Sequence, residues 1–454
     1  MKAILRDYII EGVSYLPKSE KILQIEPNGR AFENYFKTIH KIVDDRESSD
    51  SGYSKSDLKN IYKQFRRSNV RAKRLGDDWW LMLLNSLGGN GRSEELISNT
   101  QKLKPDLLSI REWLHVYSML ARLSLFSLSY YIRSHAMKLA VDKTDSKICP
   151  EYDLKKKIGA LIETDQFEKA EENFRIYIER FGEKEENEYC SKLENFLMFT
   201  GEKDGKPLHD EESDLDDTYL GYIEGQRVAI VGPAVVGLKN AAEIDNFDRV
   251  LRFNYREKSL GLDPSYNGTK VDISCFNNNQ AKHLAENLKD SFDVDLDWIL
   301  VKRVTPYDQL NHAFGEKKFS IRKIQLHNDL LFSGQLHGVP NCVIDLLRFN
   351  PKEIKIFNAD LTLTKKYHEK YFDAKEFDYN GELEKLDIYA QSNAMHDLIA
   401  QFNILKLLWI RGKISGDSRF KEVMALDPKS YIEEIDHLYG YGAIKKLKDA
   451  RNVY

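Results

Sequence analysis

The chain has 454 residues, with 68 Lys and Arg against 72 Asp and Glu and a formal net charge of -4. That length exceeds one ordinary core and predicts two or three domains. The near-neutral balance gives no reason to expect a nucleic-acid partner, which is usually bound through a concentrated basic face.

The opening segment, MKAILRDYIIEGVSYLPKSEK, breaks its apolar run with Arg6, Asp7 and Glu11. It has no small-residue cleavage site and is not read as a secretory leader. No uncharged stretch reaches the roughly eighteen residues that a membrane-spanning helix needs. The most apolar region, 113–141, carries Arg122, Arg133 and Lys138. Cys149, Cys190, Cys275 and Cys342 are far apart and match no metal-ligand spacing, so no metal and no cofactor are expected. Few cysteines and no leader point to the cytoplasm, including the inner face of its membrane.

Residues 1–200 read as helical, because Gly and Pro are sparse and apolar residues recur at spacings of three and four. Residues 154–181, LKKKIGALIETDQFEKAEENFRIYIERF, predict two amphipathic helices joined near Thr164-Asp165-Gln166. Ala160, Leu161, Phe167, Ala170 and Phe174 fall where a TPR-like hairpin places its packing residues. Residues 79–97, WWLMLLNSLGGNGRSEELI, echo this across a Gly-rich turn. The expectation is an all-α N-terminal domain of TPR-like or α-solenoid type. Residues 201–226 turn polar and acidic, which predicts a solvated linker.

From 227 to 454 short β runs alternate with helices. Residues 228–232, 249–254, 272–277, 297–303 and 353–360 read as strands, and 339–349 as a helix. The pattern predicts an α/β domain with a Rossmann-like, mostly parallel sheet, binding ligands beyond the carboxyl ends of its strands. After the first strand, the small residues of Gly232-Pro233-Ala234 suit a backbone that a ligand phosphate approaches. This is neither a Walker loop nor a dinucleotide fingerprint, because the Gly-Lys-Ser/Thr and the later glycines are missing.

The segment 227–278 continues with Val231-Gly232, Leu238-Lys239-Asn240, Glu243-Ile244-Asp245, Asp248, Val250-Leu251-Arg252-Phe253-Asn254 and Gly268-Thr269-Lys270-Val271-Asp272. In order and spacing it resembles the large sialylmotif of the animal-type sialyltransferase family. The resemblance implies a CMP-sugar donor, with Asn254 and Asn277 near the nucleotide. Read from the residues alone, Glu243, Asp245 and Arg252 equally suit a charge network that holds the turn. Residues 336–361 resemble the family's small motif, where Ser333-Gly334 or His337-Gly338 would set amides on a phosphate at a helix start. Residues 394–414 resemble its very small motif. There His396 is the expected base for the acceptor hydroxyl, and Gln401 stands where the family has Glu. His368, within Tyr367-His368-Glu369, is a loose counterpart of the third motif, as is Tyr371-Phe372-Asp373.

Departures from the family sharpen the expectation. Val228 and Phe349 occupy the positions of two paired cysteines, and Pro233 that of a donor-binding Asn. Together they imply a bacterial transferase acting on a surface polysaccharide, capsule or lipopolysaccharide. The sugar would be a 3-deoxy-2-ulosonic acid, Kdo or sialic acid. Asp360, after the strand at 353–360, would orient His396 or the acceptor, cap the next segment, or act as a nucleophile. The animal-type enzymes invert with a His base, whereas bacterial Kdo transferases resembling them retain configuration through an Asp, which favours Kdo. Lys270, Lys302 and Arg303 are candidate cations for the sugar carboxylate and the departing phosphate. The helical domain would recognise the polymer or other assembly proteins. The alternative is a non-catalytic nucleotide-binding module on a helical interaction scaffold.

Overall fold

A computed structural model describes residues 29–47, 53–88, 93–182, 188–203, 214–256, 263–315, 319–364 and 396–441. Among them, one compact unit comprises 29–160, His396 and 432–441; the other comprises 161–364 and 397–431.

The first unit is helical. Its elements are α1 (Gly29–Glu47), α2 (Lys55–Arg67), α3 (Asp77–Leu87), α4 (Ser93–Gln101), α5 (Ile110–Arg122) and α6 (Phe126–Lys143). Local chemistry sets these boundaries. Ser109 caps α5 by accepting from the Glu112 amide, while the Glu112 carboxylate accepts from the Ser109 amide at 2.9 Å. The core closes on indole rings whose N–H groups all find acceptors: Trp79 to Thr100 Oγ1, Trp80 to the Ala72 carbonyl and Trp113 to the Pro105 carbonyl. Helix α7 (Glu151–Glu163) carries the chain into the second unit at Leu161, where α8 (Phe167–Phe181) follows a turn in which Asp165 adopts a φ of 57°. The expected packing residues Ala160, Leu161, Phe167, Ala170 and Phe174 are all buried.

The second unit is built on a sheet. After α8 come α9 (Glu188–Thr200) and α10 (Asp214–Ile223). Then follow β1 (Arg227–Val231), α11 (Ala241–Asp245), β2 (Arg249–Phe253), α12 (Pro264–Asn267), β3 (Ile273–Phe276), α13 (Asn278–His283), β4 (Trp298–Val301), α14 (Val304–Phe314) and β5 (Ser320–Lys323). The chain ends this unit with α15 (Gly338–Leu347), β6 (Glu353–Phe357), α16 (Leu398–Ile410), β7 (Ser415–Gly416), α17 (Ser418–Ala425) and the start of α18 (Pro428–Tyr439). The strand order is β5-β4-β3-β2-β1-β6-β7, and every pairing is parallel. Strands β3 and β4 are buried along their whole length because both faces are covered, and β4 is apolar throughout.

The second half of the acidic 201–226 stretch is helix α10, and its inner face is integral to this unit. Tyr219 is fully buried, packing edge-on against Trp298 and Phe349. Asp216 accepts from Arg322 at 2.5 Å and pairs with Arg348 at 3.4 Å. Asp345 completes the group, bound to both arginines. Two buried anions thus balance two buried cations. Among the described residues, no helix is long and apolar enough to cross a membrane.

Candidate active site at the switch point of the sheet

The chain runs outward from β1 to β5, then returns to lay β6 on the other side of β1. The carboxyl ends of β1 and β6 therefore flank the position at which strand order reverses, where open parallel sheets bind ligands.

The turn after β1 differs from the expected phosphate cradle. The Gly232 amide donates to the Phe357 carbonyl at 2.8 Å, and the Ala234 amide to the Asn358 carbonyl at 3.1 Å. Pro233 has no N–H. The amides of Gly232-Pro233-Ala234 are thus used within the sheet, and Gly232 is small because β6 approaches it. A Cβ there would overlap the Asn358 carbonyl oxygen and lie 2.8 Å from Ala359 Cβ. Gly232→Ala is expected to lose about 1–3 kcal/mol of stability, measured by urea unfolding, whether or not ligand is present.

The motif residues beyond this turn interlock with one another. Asp245 accepts from the Thr269 and Lys270 amides at 2.9 Å. Arg252 donates to the carbonyls of Lys270 and Asn267, and Glu243 pairs with Lys355. Asn254 is fully buried, takes a φ of 51° to end β2, and accepts from Arg256 at 3.3 Å. Asn277 caps α13 through Oδ1 and receives the side chain of Gln280 in return. Both asparagines thus contribute to the local fold at the carboxyl ends of β2 and β3. Lys270 binds the carbonyls of Phe247 and Asp248, just before β2, and so lies at the amino edge of the sheet, opposite the crevice. Lys302 and Arg303 do follow β4 at the carboxyl edge, and Lys302 reaches the Leu336 carbonyl at 3.4 Å.

Around the start of α15 the expected residues do meet. Gly334 has a φ of 70° and packs on Asp397, whose amide donates to the Gln335 carbonyl at 2.8 Å. Ser333 is buried, and His337 occupies the cap position of α15 without a side-chain cap bond. Gly338 leaves room for the Phe253 ring, 2.9 Å from where its Cβ would be. Among the described residues, no acceptor is recorded for the Gly338 and Val339 amides, and Pro340 has none to give. Asp397 caps α16 by accepting from Ile399 and Ala400. His396 directly precedes that cap and is half-buried. Gln401, in the first turn of α16, is fully buried. His368 lies outside the described residues.

Asp360 is the most unusual group. It is 1% exposed, and its Oδ2 has no hydrogen-bond partner. The nearby backbone is held in the left-handed region at Asn358 (φ 51°), Leu361 (φ 50°) and Thr362 (φ 71°). Such backbone is costly for leucine and threonine and persists only where its surroundings impose it. The surroundings here are specific. Asp417, which caps α17, accepts from the Asn358 amide at 2.8 Å and from Asn240 at 3.0 Å. Asn358 donates to Asn267 at 2.7 Å. Tyr431 donates to the Leu361 carbonyl at 2.9 Å and receives Gln401 Nε2 at 3.3 Å. Burial pushes the Asp360 carboxyl up to about 6, against the opposing pull of Arg419, whose Nη2 lies 3.8 Å from Oδ2.

Arg419, Tyr431, Asp417 and Asn358 are not apparent as site residues in the sequence. Asp417, Arg419 and Tyr431 are brought there through β7, which has only two residues and leaves no hydrophobic trace. Among the described residues, no cluster of His, Cys, Asp and Glu is arranged to hold a metal ion. Compared with known proteins, the chain matches no family model, no curated protein and no solved structure. The class that its fold and site define is an open, all-parallel α/β sheet with a strained, acid-bearing turn at its switch point.

Proposed function

We propose that the protein is a glycosyltransferase that moves a 3-deoxy-2-ulosonic acid, Kdo in preference to sialic acid, from its CMP-activated form to a hydroxyl of a bacterial surface polysaccharide. The observation that carries this reading is Asp360, a buried carboxyl with one unpartnered oxygen on strained backbone at the switch point. Strain and a displaced carboxyl pKa cluster at catalytic sites. The motif resemblance supplies the nucleotide, and the open amides at the start of α15 suit its phosphate.

In the proposed reaction, an Asp360 carboxylate oxygen bonds to the anomeric carbon as the bond from that carbon to the CMP phosphate oxygen breaks. CMP departs with the electron pair. An acceptor hydroxyl then displaces Asp360 from the same carbon, and His396 takes the hydroxyl proton. Two displacements retain configuration. The helical unit would hold the polymer or an assembly partner at the cytoplasmic face of the membrane.

A second reading is a nucleotide-binding module without catalysis, and the internal use of the Gly232 and Ala234 amides favours it. A product assay with CMP-Kdo and CMP-sialic acid on a polysaccharide acceptor separates the two. The expected result is transfer by the wild type, reduced at least ~100-fold in His396→Ala and in Asp360→Ala. Nucleotide binding with no transfer from either donor would support the second reading.

A further inference from the structure

The carboxylate of an ulosonic acid is attached to the anomeric carbon itself. A residue that grips this carboxylate therefore also sets the distance between the reacting carbon and its nucleophile. We propose that Arg419 is this residue: its guanidinium reads the carboxylate of the donor sugar and brings the anomeric carbon onto Asp360. The inference rests on the glycosyltransferase reading and deepens it.

Three observations carry it. First, Arg419 is held at the crevice by its backbone. It lies in the first turn of α17, two residues after Asp417, which binds both the Phe420 amide and the Asn358 amide at the end of β6. Second, its side chain is 32% exposed, while the Asp360 side chain beside it is 1% exposed. The guanidinium is thus the accessible charge of the pair.

Third, its pairing with Asp360 is incomplete. At 3.8 Å the contact is beyond a hydrogen bond, and the other recorded partner of Arg419 is Glu422, an exposed carboxylate 3.1 Å away. Two other arginines of this chain dock on a carboxylate with two full hydrogen bonds. Arg71 binds Glu112 at 2.7 and 2.5 Å, and Arg322 binds Asp345 at 2.7 and 3.2 Å. Arg419 does not fork Asp360 in this way, and its donors stay directed outward. A guanidinium offset from the nucleophile instead suits a donor whose carboxylate it takes in a fork. The neighbouring anomeric carbon would then lie within the roughly 3–3.5 Å of Asp360 that attack requires.

The test is calorimetric titration of CMP, CMP-Kdo and CMP-sialic acid into the wild type, Arg419→Ala and Arg419→Lys. CMP lacks the sugar carboxylate and is expected to bind all three proteins alike. Affinity for the preferred CMP-sugar is expected to fall roughly 10- to 100-fold in Arg419→Ala. Arg419→Lys keeps the charge but not the planar fork, and should recover only part of the loss. If both variants bind CMP and the CMP-sugars as the wild type does, the assignment of Arg419 is overturned while the transferase reading stands. If the wild type binds no CMP, the transferase reading falls and the assignment with it.

Discussion

Asp360→Asn is expected to abolish transfer and, at neutral pH, to make the protein more stable. The carboxyl titrates near 6 in the folded chain against 3.8 as an isolated group. A folded-state value raised above the unfolded one means that the protonated form fits the fold better. Its stabilising contribution is complete below about pH 4 and is lost as the pH rises through 6. Above that, the ionised group costs on the order of 3 kcal/mol. Asparagine is neutral throughout. The variant should therefore match the wild type near pH 4 and exceed it by roughly 2–3 kcal/mol at pH 7.5 in urea unfolding. Activity of the wild type should fall on acidification with a midpoint near pH 6, not near 4, because the nucleophile must be ionised. An Asp360→Asn protein less stable than the wild type at pH 7.5 would show that the carboxylate is not held against its own desolvation. Opposite signs for stability and activity would mark Asp360 as a group kept for chemistry.

The buried quartet offers the largest purely structural effect. Asp345 is fully buried and accepts from Arg322 twice, from Arg348 at 3.3 Å and from the Gln325 amide at 3.1 Å. Asp345→Ala would leave two buried guanidinium groups sharing Asp216 alone. Breaking a buried pair from one side typically costs about 3–5 kcal/mol. Asp345→Asn keeps the shape but not the charge and should cost nearly as much. Glu171→Ala, which removes an exposed pair with Arg175, should cost under ~0.5 kcal/mol and serves as the control. Chemical denaturation of the three variants gives the comparison. Equal effects from the buried and the exposed pair would contradict the ionic account of how α10 is held.

The same quartet shows why part of the fold is hidden in the sequence. Residues 201–226 read as a solvated linker because they are acidic, yet Asp216 turns inward to meet Arg322 and Arg348. Strand β5 has the sequence Ser-Ile-Arg-Lys and lacks an apolar run, since its inward Arg322 is satisfied ionically. The strands from β1 to β4, and β6, are legible because each carries a short β-branched or aromatic apolar run, as in Val-Ala-Ile-Val of β1 and Trp-Ile-Leu-Val of β4. The one ending in Phe357 is read too long, because Asn358 leaves the β region with a φ of 51°. The candidate site is legible at Asp360, which follows the alternating strand Glu-Ile-Lys-Ile-Phe, and at the start of α15. Gly232 misleads, because composition cannot distinguish a close ligand from a close strand. Arg419 and Tyr431 are invisible, because only the return of the chain through β7 and α17 brings them to residues far earlier in sequence.

The central claim is a CMP-activated donor at the switch point, and binding of CMP tests it without knowledge of the acceptor. Isothermal titration of CMP into the intact wild-type protein should give one saturable site per chain. That binding should be displaced by CMP-Kdo or CMP-sialic acid and should not be reproduced by ATP or NAD. No saturable heat at millimolar CMP, or equal binding of ATP, would contradict the account.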